Sequence, residues 1–177
     1  MRKFVSVFLC TALLICAVPC FAAAETLTQN SSFEEESSFG AEGWVQEAWI
    51  YEPDLLSMGG EDGAGPDGSR ALYIDCLAQN DARFSQSIDV EPDTYYRISG
   101  SIRVDESGIN GYGANISVLD TFASTTGLHT TGGKWAEVEM YGRTAADQKS
   151  ITVCARVGFY GNLSAGKAWF DDICVQR

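Results

Sequence analysis

The chain has 177 residues and a formal net charge of −12, from 24 acidic and 12 basic side chains. An acidic surface repels phosphate backbones, which argues against nucleic acid as a partner. The one histidine and the lack of any CxxC pair argue against a zinc site and against histidine-based catalysis.

The N-terminus has the pattern of a secretory signal peptide. Basic residues precede an apolar run, and Ala22-Ala23-Ala24 supplies the small residues of a cleavage site. The run is short for a bilayer span, although an uncleaved anchor is the alternative, and no later stretch reaches spanning length. We predict that residues 1–24 are removed and that residues 25–177 form one secreted, extracytoplasmic domain, monomeric and without a membrane span. Loss of Arg2 and Lys3 would take the net charge from −12 to −14.

The rest of the chain has an all-β pattern. Apolar and polar residues alternate in segments of about five to eight residues, separated by breaks rich in Gly, Ser, Asp and Asn. Strands of this number in one domain predict two packed antiparallel sheets, a β-sandwich. The predicted strands are a short one near Ser32–Glu34, then Val45–Tyr51, Ala71–Leu77, Ala82–Val90, Tyr95–Val104, Ala114–Leu119, Trp135–Gly142, Ser150–Gly158 and Ala168–Gln176.

Three of these strands carry a polar face opposite their core residues. Because successive side chains point to opposite sides of a sheet, Arg103, Asn115 and Arg156 each lie on the polar side of their strand. We interpret the three strands as sharing one recognition face. Ordinary solvent exposure of strand faces is the alternative.

Aromatic residues border this polar face in the sequence. Trp49 and Tyr51 share one side of their strand, and Tyr112 lies in the Gly-rich turn before Asn115. Flat rings stack on the C–H faces of sugars while neighbouring polar groups bind the hydroxyls. Packing in the core is an equal alternative for each ring. The predicted carbohydrate-binding residues are Trp49, Tyr51, Arg103, Tyr112, Asn115 and Arg156.

The two ends of the predicted domain carry matching motifs. Asn30-Ser31-Ser32-Phe33-Glu34 follows the leader, and Trp169-Phe170-Asp171-Asp172-Ile173 precedes the C-terminus. Adjacent terminal strands would bring an acidic residue from each end into an oxygen-rich site suited to calcium. Solvated surface charges are the alternative.

The order and spacing of several motifs resemble the β-jelly-roll carbohydrate-binding modules of families four, nine and twenty-two, a galactose-binding-like sandwich. Besides the terminal motifs, the matching residues are Gly43-Trp44, Gly68-Ser69-Arg70-Ala71-Leu72-Tyr73-Ile74, Gln86-Ser87-Ile88, Tyr95-Tyr96-Arg97-Ile98-Ser99, Trp135-Ala136-Glu137-Val138 and Gly166-Lys167-Ala168. The resemblance implies a jelly roll that binds a polysaccharide or cell-surface glycan, with a structural calcium held by Glu34 and Asp171. The alternation of side chains along a strand, here called strand parity, agrees, because it places Asp171 on the face of Ile173 and Val175.

The leading prediction is therefore a non-catalytic carbohydrate-binding module. A structural or protein-interaction sandwich is the alternative, and exposed Trp49 and Tyr51 would separate the two. We predict no enzymatic activity, because acidic residues that are adjacent in sequence diverge to opposite faces of a strand. Cys76, Cys154 and Cys174 are predicted to be thiols, since parity gives no reason for two of them to meet at disulfide distance.

Overall fold

The computed structural model describes residues 25–177, so the predicted leader lies outside the described residues. Two antiparallel sheets form a β-sandwich, with strand orders β1-β4-β8-β6 and β2-β3-β9-β5-β7. The strands are β1 (Val45–Ala48), β2 (Leu56–Glu61), β3 (Ala71–Asn80), β4 (Ala82–Asp89), β5 (Tyr95–Val104), β6 (Ala114–Val118), β7 (Trp135–Arg143), β8 (Ser150–Val157) and β9 (Ser164–Gln176). The predicted all-β sandwich is confirmed.

One predicted strand is wrong, and one strand of the structure was not predicted. The short strand near Ser32–Glu34 is a turn, in which Asn30 and Phe33 take positive φ angles of 47° and 60°. The strand β2 was not predicted, because Gly59 and Gly60 interrupt any alternation of apolar and polar side chains there. The other eight predicted strands correspond to β1 and β3–β9; β5 has the predicted ends, and the other seven each differ at one end.

The two ends of the domain meet, as the matching motifs suggested. The backbone N–H of Leu27 donates to the Val175 carbonyl at 2.8 Å, and that of Ile173 donates to the Ser31 carbonyl at 2.9 Å. The N-terminal segment thus pairs with the last part of β9 and closes the sandwich.

The core lies between the sheets and consists of alternate residues of each strand. Leu72 and Ile102 from the five-stranded sheet and Ile116 and Val153 from the four-stranded sheet are all fully buried. Burying one such side chain contributes about 1.5–3 kcal/mol, so this interface supplies most of the driving force for folding. It also forces every second residue of the sheets outward.

The three cysteines within residues 25–177, Cys76, Cys154 and Cys174, are free thiols. Cys154 is on β8 and Cys174 is on β9, which belong to different sheets. Cys76 is buried in the core, where burial raises the pKa of its thiol to about 12. Within residues 25–177, no helix is long and apolar enough to cross a membrane.

Candidate functional site

Two rows of polar side chains cross the outer face of the four-stranded sheet, the face directed away from the core. They alternate with core residues such as Phe84, Ile116 and Ala155. Strand register aligns Glu47, Arg83, Arg156 and Asn115 in one row, and Ser85, Cys154 and Ser117 in the next. The sheet thus presents carboxylate, guanidinium, amide and hydroxyl groups together on one face.

An open polar cluster lies at the β1 side of this face. Glu47 Oε2 accepts hydrogen bonds from Arg83 Nε at 3.1 Å and from Ser85 Oγ at 3.0 Å. The Glu47 and Arg83 side chains are 40% and 19% exposed, so solvent reaches both. Burial raises the pKa of the Tyr51 hydroxyl, and the Glu47 charge adds to this, which brings Tyr51 into the same cluster.

Trp49 and Tyr51 border the face beyond the end of β1. They are 70% and 60% exposed, so the packing alternative is wrong for both. The backbone N–H of Trp49 donates to the Asp81 carbonyl at 2.9 Å. The Asn80 side chain holds the residue between them, since it accepts from the Ile50 N–H at 3.1 Å and donates to the Ile50 carbonyl at 2.8 Å. The backbone that carries both rings is therefore fixed.

A buried ion pair lies beneath the middle of the face. Arg156 Nε donates to Asp81 Oδ1 at 2.6 Å, and Nη2 forms a second bond to Oδ2. Arg156 is fully buried and Asp81 is 2% exposed. Burial alone would lower the pKa of Arg156, but the two bonds to Asp81 raise it above its ordinary value. The two opposite charges compensate each other, so the pair is neutral as a unit.

Aromatic rings cover this pair from the β6 side. The Arg156 guanidinium lies 4.3 Å from the ring centroid of Tyr160 and 5.0 Å from that of Phe159. Tyr112 stacks on Phe159 with a centroid distance of 4.8 Å, and Phe122 meets Tyr160 edge to face at 6.1 Å. Phe122 is 90% exposed. The face therefore has rings at both edges and polar groups between them.

The structure separates Arg103 from the other predicted site residues. It lies on β5, in the five-stranded sheet, between the rings of Trp169 at 4.1 Å and Trp135 at 5.3 Å. The prediction of one polar face shared by three strands is wrong, because parity assigns a side of a strand but not the sheet to which the strand belongs.

Asn115, Arg156 and Tyr112 lie on the β6 side of the face, but not as open surface groups. Asn115 and Arg156 are fully buried, and Asn115 Nδ2 donates to the Gly158 carbonyl at 2.9 Å. The Tyr112 hydroxyl lies 2.6 Å from Ser124 Oγ. The expectation that these groups form an exposed recognition surface is wrong, because the turns that follow β6 and β8 cover them.

Sequence reasoning missed Phe122 and Glu47, and the buried role of Asp81. Phe122 follows β6 in an irregular turn, where no periodicity marks a side chain as exposed. Glu47 shares a side of its strand with Trp49, a signal that could have selected it. Asp81 follows β3 directly, and nothing in the sequence pairs it with Arg156.

The predicted metal residues Glu34 and Asp171 lie near one another at the opposite sheet. Asp171 is 1% exposed; its Oδ1 accepts from the Asp172 N–H at 2.8 Å and its Oδ2 from Ser69 Oγ at 3.3 Å. Burial raises the pKa of Asp171 to about 7, and the charges of Asp172 and Glu34 add to the rise. Glu34 Oε1 accepts from the Arg70 N–H at 2.9 Å.

A β-bulge puts Asp171 on a face that parity did not predict. Ser101 pairs with Asp171 and Ser99 with Cys174, so β9 has one residue more than β5 between these pairs. Asp172 and Ile173 together lie opposite the single residue Gly100, and Asp172 takes a φ of 52°. Asp171 therefore lies with Ser101 on the outer face, rather than with Ile173 in the core.

The described residues contain no group of three or more His, Cys, Asp or Glu side chains arranged to hold a metal ion. A hard cation at Glu34 and Asp171 would have two carboxylates and would need backbone or hydroxyl oxygens as further ligands. The donor set still fits calcium, because the buried Asp171 carboxylate forms no ion pair with a basic side chain of the described residues.

No family model matches the chain, and no curated protein matches its sequence. Among solved structures, the chain is similar to TmCBM61 in complex with β-1,4-galactotriose, with 15% identity and a TM-score of 0.61 over 87% of this chain and 99% of that one. The CBM22-1 xylan-binding domain of Paenibacillus barcinonensis Xyn10C gives 14% identity and a TM-score of 0.55 over 87% and 95%.

A third similar structure is the enzymatically active domain of bacteriophage CBA120 tailspike protein 4, with 13% identity and a TM-score of 0.60. The match covers 85% of this chain and 21% of that one, so the chain spans about a fifth of the tailspike domain. At these identities the likeness shows the fold. The chain has the β-jelly-roll fold of carbohydrate-binding modules, as the resemblance implied.

Proposed function

We propose that the domain is a non-catalytic carbohydrate-binding module that takes a neutral glycan on the outer face of its four-stranded sheet. The observation that carries the proposal is the pair of exposed rings, Trp49 and Tyr51, beside the open cluster of Glu47, Arg83 and Ser85. Solved structures that share this fold and are complexes with β-1,4-galactotriose and with xylohexaose support it.

The chemistry of the face suits sugar hydroxyls. Trp49 and Tyr51 offer flat apolar surfaces for the C–H faces of a ring, and Phe122 offers another at the far edge. Glu47 accepts and Arg83 donates hydrogen bonds, which fixes the orientation of neighbouring hydroxyls. An exposed, hydrated face of this kind gives modest affinity, around micromolar to millimolar.

The same face gives little support for hydrolysis. Glycosidases place two carboxyl groups about 5–10 Å apart on either side of the scissile bond. Glu47 is paired with Arg83, and Asp81 is buried in its pair with Arg156. Neither carboxylate is free to act as an acid or a nucleophile on a bound sugar.

We also propose that Glu34 and Asp171 hold a structural calcium ion. Support comes from the buried Asp171 carboxylate, which has no basic partner within residues 25–177 and whose negative form is unfavourable without a positive one. The ion would tie the N-terminal turn to β9 and the loop of Ser69 and Arg70. The carbohydrate-binding proposal has two further parts. We propose that the protein is exported with removal of residues 1–24, and that its partner is a polysaccharide or a cell-surface glycan.

The glycan proposal is tested with a glycan array that includes β-1,4-galactotriose and xylohexaose, followed by titration calorimetry on variants. We expect Tyr51→Ala and Trp49→Ala each to weaken binding about tenfold or more, since each removes a stacking surface. Melting temperatures should stay near the wild-type value because both rings are exposed.

Tyr141→Ala is the matched control. Tyr141 is 69% exposed but lies on β7 in the other sheet, so its loss should leave binding unchanged. Wild-type affinity in both folded variants of Trp49 and Tyr51 would refute the placement. A wild-type protein that binds no glycan, but captures a protein partner through this face, would instead favour the protein-interaction alternative.

A further inference from the structure

Three buried polar atoms on the β6 side of the face have no hydrogen-bond partner within residues 25–177. They are Arg156 Nη1, Asn115 Oδ1 and Ser117 Oγ. All three residues are fully buried. A buried polar atom without a partner costs about 1–3 kcal/mol, so native proteins seldom retain several together.

These three residues, the inner triad, are close neighbours. Asn115 and Arg156 are register partners on β6 and β8, and Ser117 follows two positions later on the same side of β6. Such neighbours have Cβ atoms about 4.5–7 Å apart. The triad therefore offers a donor, an acceptor and a hydroxyl within the span of one sugar ring.

An aromatic cover, formed by Tyr160 and Phe122, lies at the Arg156 end of the triad. The Tyr160 ring lies 4.3 Å from the Arg156 guanidinium, and its hydroxyl donates to the Thr121 carbonyl at 2.9 Å. The hydroxyl contributes to the raised pKa of Arg156. The hydroxyl donates to Thr121 and keeps its lone pairs, but Nη1 forms no hydrogen bond with them by geometry.

The backbone under this cover is strained. Phe159 pairs with Asn162, so Tyr160 and Gly161 form a two-residue turn, with Tyr160 at a φ of 51°. Glycine usually takes a first turn position of positive φ, and a bulky residue there costs about 1–3 kcal/mol. Asp120 lies in the turn after β6 that carries Phe122, the second ring of the cover, and has a φ of 59°. Aspartate adopts such an angle more readily than tyrosine, so it is the strain at Tyr160 that lowers the cost of opening the cover.

The charges around the triad select a neutral ligand. Both oxygens of Asp81 bind Arg156, so the ion pair has no net charge with which to attract an anion. Nη1 remains as a donor beside the Asn115 and Ser117 oxygens. Two adjacent sugar hydroxyls match this set, since each can accept from one group and donate to another.

We propose that the inner triad is a closed subsite of the glycan site, which receives adjacent hydroxyls of a neutral sugar when the aromatic cover opens. This inference rests on the proposed function, because the same glycan would stack on Trp49 and Tyr51 outside. The cover blocks the β6 edge of the face, so the sugar that enters is the terminal unit of its chain.

Ser117→Ala tests the subsite by calorimetry and thermal melting. The probe is β-1,4-galactotriose, xylohexaose or the neutral oligosaccharide with the strongest array signal. We expect binding to weaken about five- to tenfold, the loss of one neutral hydrogen bond. The melting temperature should hold or rise, because the variant removes a hydroxyl that has no partner in the free protein. Ser101→Ala, on the five-stranded sheet, is the control and should bind normally.

The outcomes separate this inference from the function on which it rests. Unchanged binding by a folded Ser117→Ala protein would overturn the subsite and leave the outer glycan site standing, with water as the partner of the triad. A wild-type protein that binds no glycan would overturn both. Tighter binding of a uronate oligosaccharide than of its neutral counterpart would contradict the charge argument and with it the subsite.

Discussion

At the scale of single residues, the ion pair between Asp81 and Arg156 should be the most sensitive point of the site. Asp81→Asn leaves the Arg156 guanidinium buried without a compensating charge, which costs about 3–5 kcal/mol. Urea unfolding should show this loss. Glu47→Gln is the matched control, because its pair with Arg83 is partly exposed and contributes about 0–1 kcal/mol. Equal losses in the two variants would contradict the assigned burial.

Asp171 should make stability depend on pH and calcium together. Burial holds its folded pKa at about 7, above its unfolded value of 3.8, so the folded state binds the proton more tightly. In chelator, the free energy of unfolding contributed by this group should therefore fall as pH rises from about 4 to about 7.

Calcium should oppose that loss at neutral pH. Free calcium at a hundred times its dissociation constant would stabilise the fold by about 3 kcal/mol, seen as a higher melting temperature. Asp171→Asn should remove both the pH dependence of this group and most of the calcium effect. If the melting temperature of the wild type is the same in chelator and in calcium, no calcium site exists.

The sequence pointed to some site residues and not to others for definite reasons. Trp49 and Tyr51 could be selected because apolar rings beside a polar strand are unusual. Arg156 could be placed on the correct side of its strand, but its burial depends on Tyr160, which lies in a turn without periodicity. Parity describes the side of a sheet, whereas covering turns decide whether that side meets solvent.

At the scale of elements, the close approach of the two sheets depends on Gly100 of β5. A Cβ there would lie 2.6 Å from Ile116 Cδ1 and 3.1 Å from Ile173 Cγ1, so Gly100→Ala should overpack the core. We expect a loss of about 1–3 kcal/mol in the free energy of unfolding.

Gly142 of β7 supplies the control for this prediction. No heavy atom lies within 4 Å of a Cβ built there, so Gly142→Ala should stay within about 0.5 kcal/mol of the wild type. A neutral Gly100→Ala, or equal losses in both variants, would contradict the packing between β5 and β6.

Strands with regular alternation could be predicted, and those that depend on partners could not. Segments such as Tyr95–Val104 alternate over their whole length and were found with the correct ends. Leu56–Glu61 is a strand because it pairs with β3, although its two glycines interrupt the alternation of apolar and polar side chains. The bulge at Asp172 likewise arises from pairing with β5, and it reversed the predicted side of Asp171.

At the scale of the whole molecule, the two outer faces of the sandwich differ in chemistry. The four-stranded sheet carries the open cluster, the inner triad and the rings at both edges. The five-stranded sheet carries Arg103 packed between Trp135 and Trp169, where the guanidinium already occupies the ring faces. The account therefore assigns glycan binding to the four-stranded sheet and a packing role to Arg103 on the other.

The four tryptophans allow this assignment to be measured directly, because they lie in three different parts of the molecule. In NMR titrations with the glycan that binds best, the Trp49 indole N–H resonance should shift as binding proceeds. Those of Trp44, in the core, and of Trp135 and Trp169, on the five-stranded sheet, should stay in place. Shifts at Trp135 and Trp169 with a stationary Trp49 would show that the glycan binds the opposite face and would contradict the central claim.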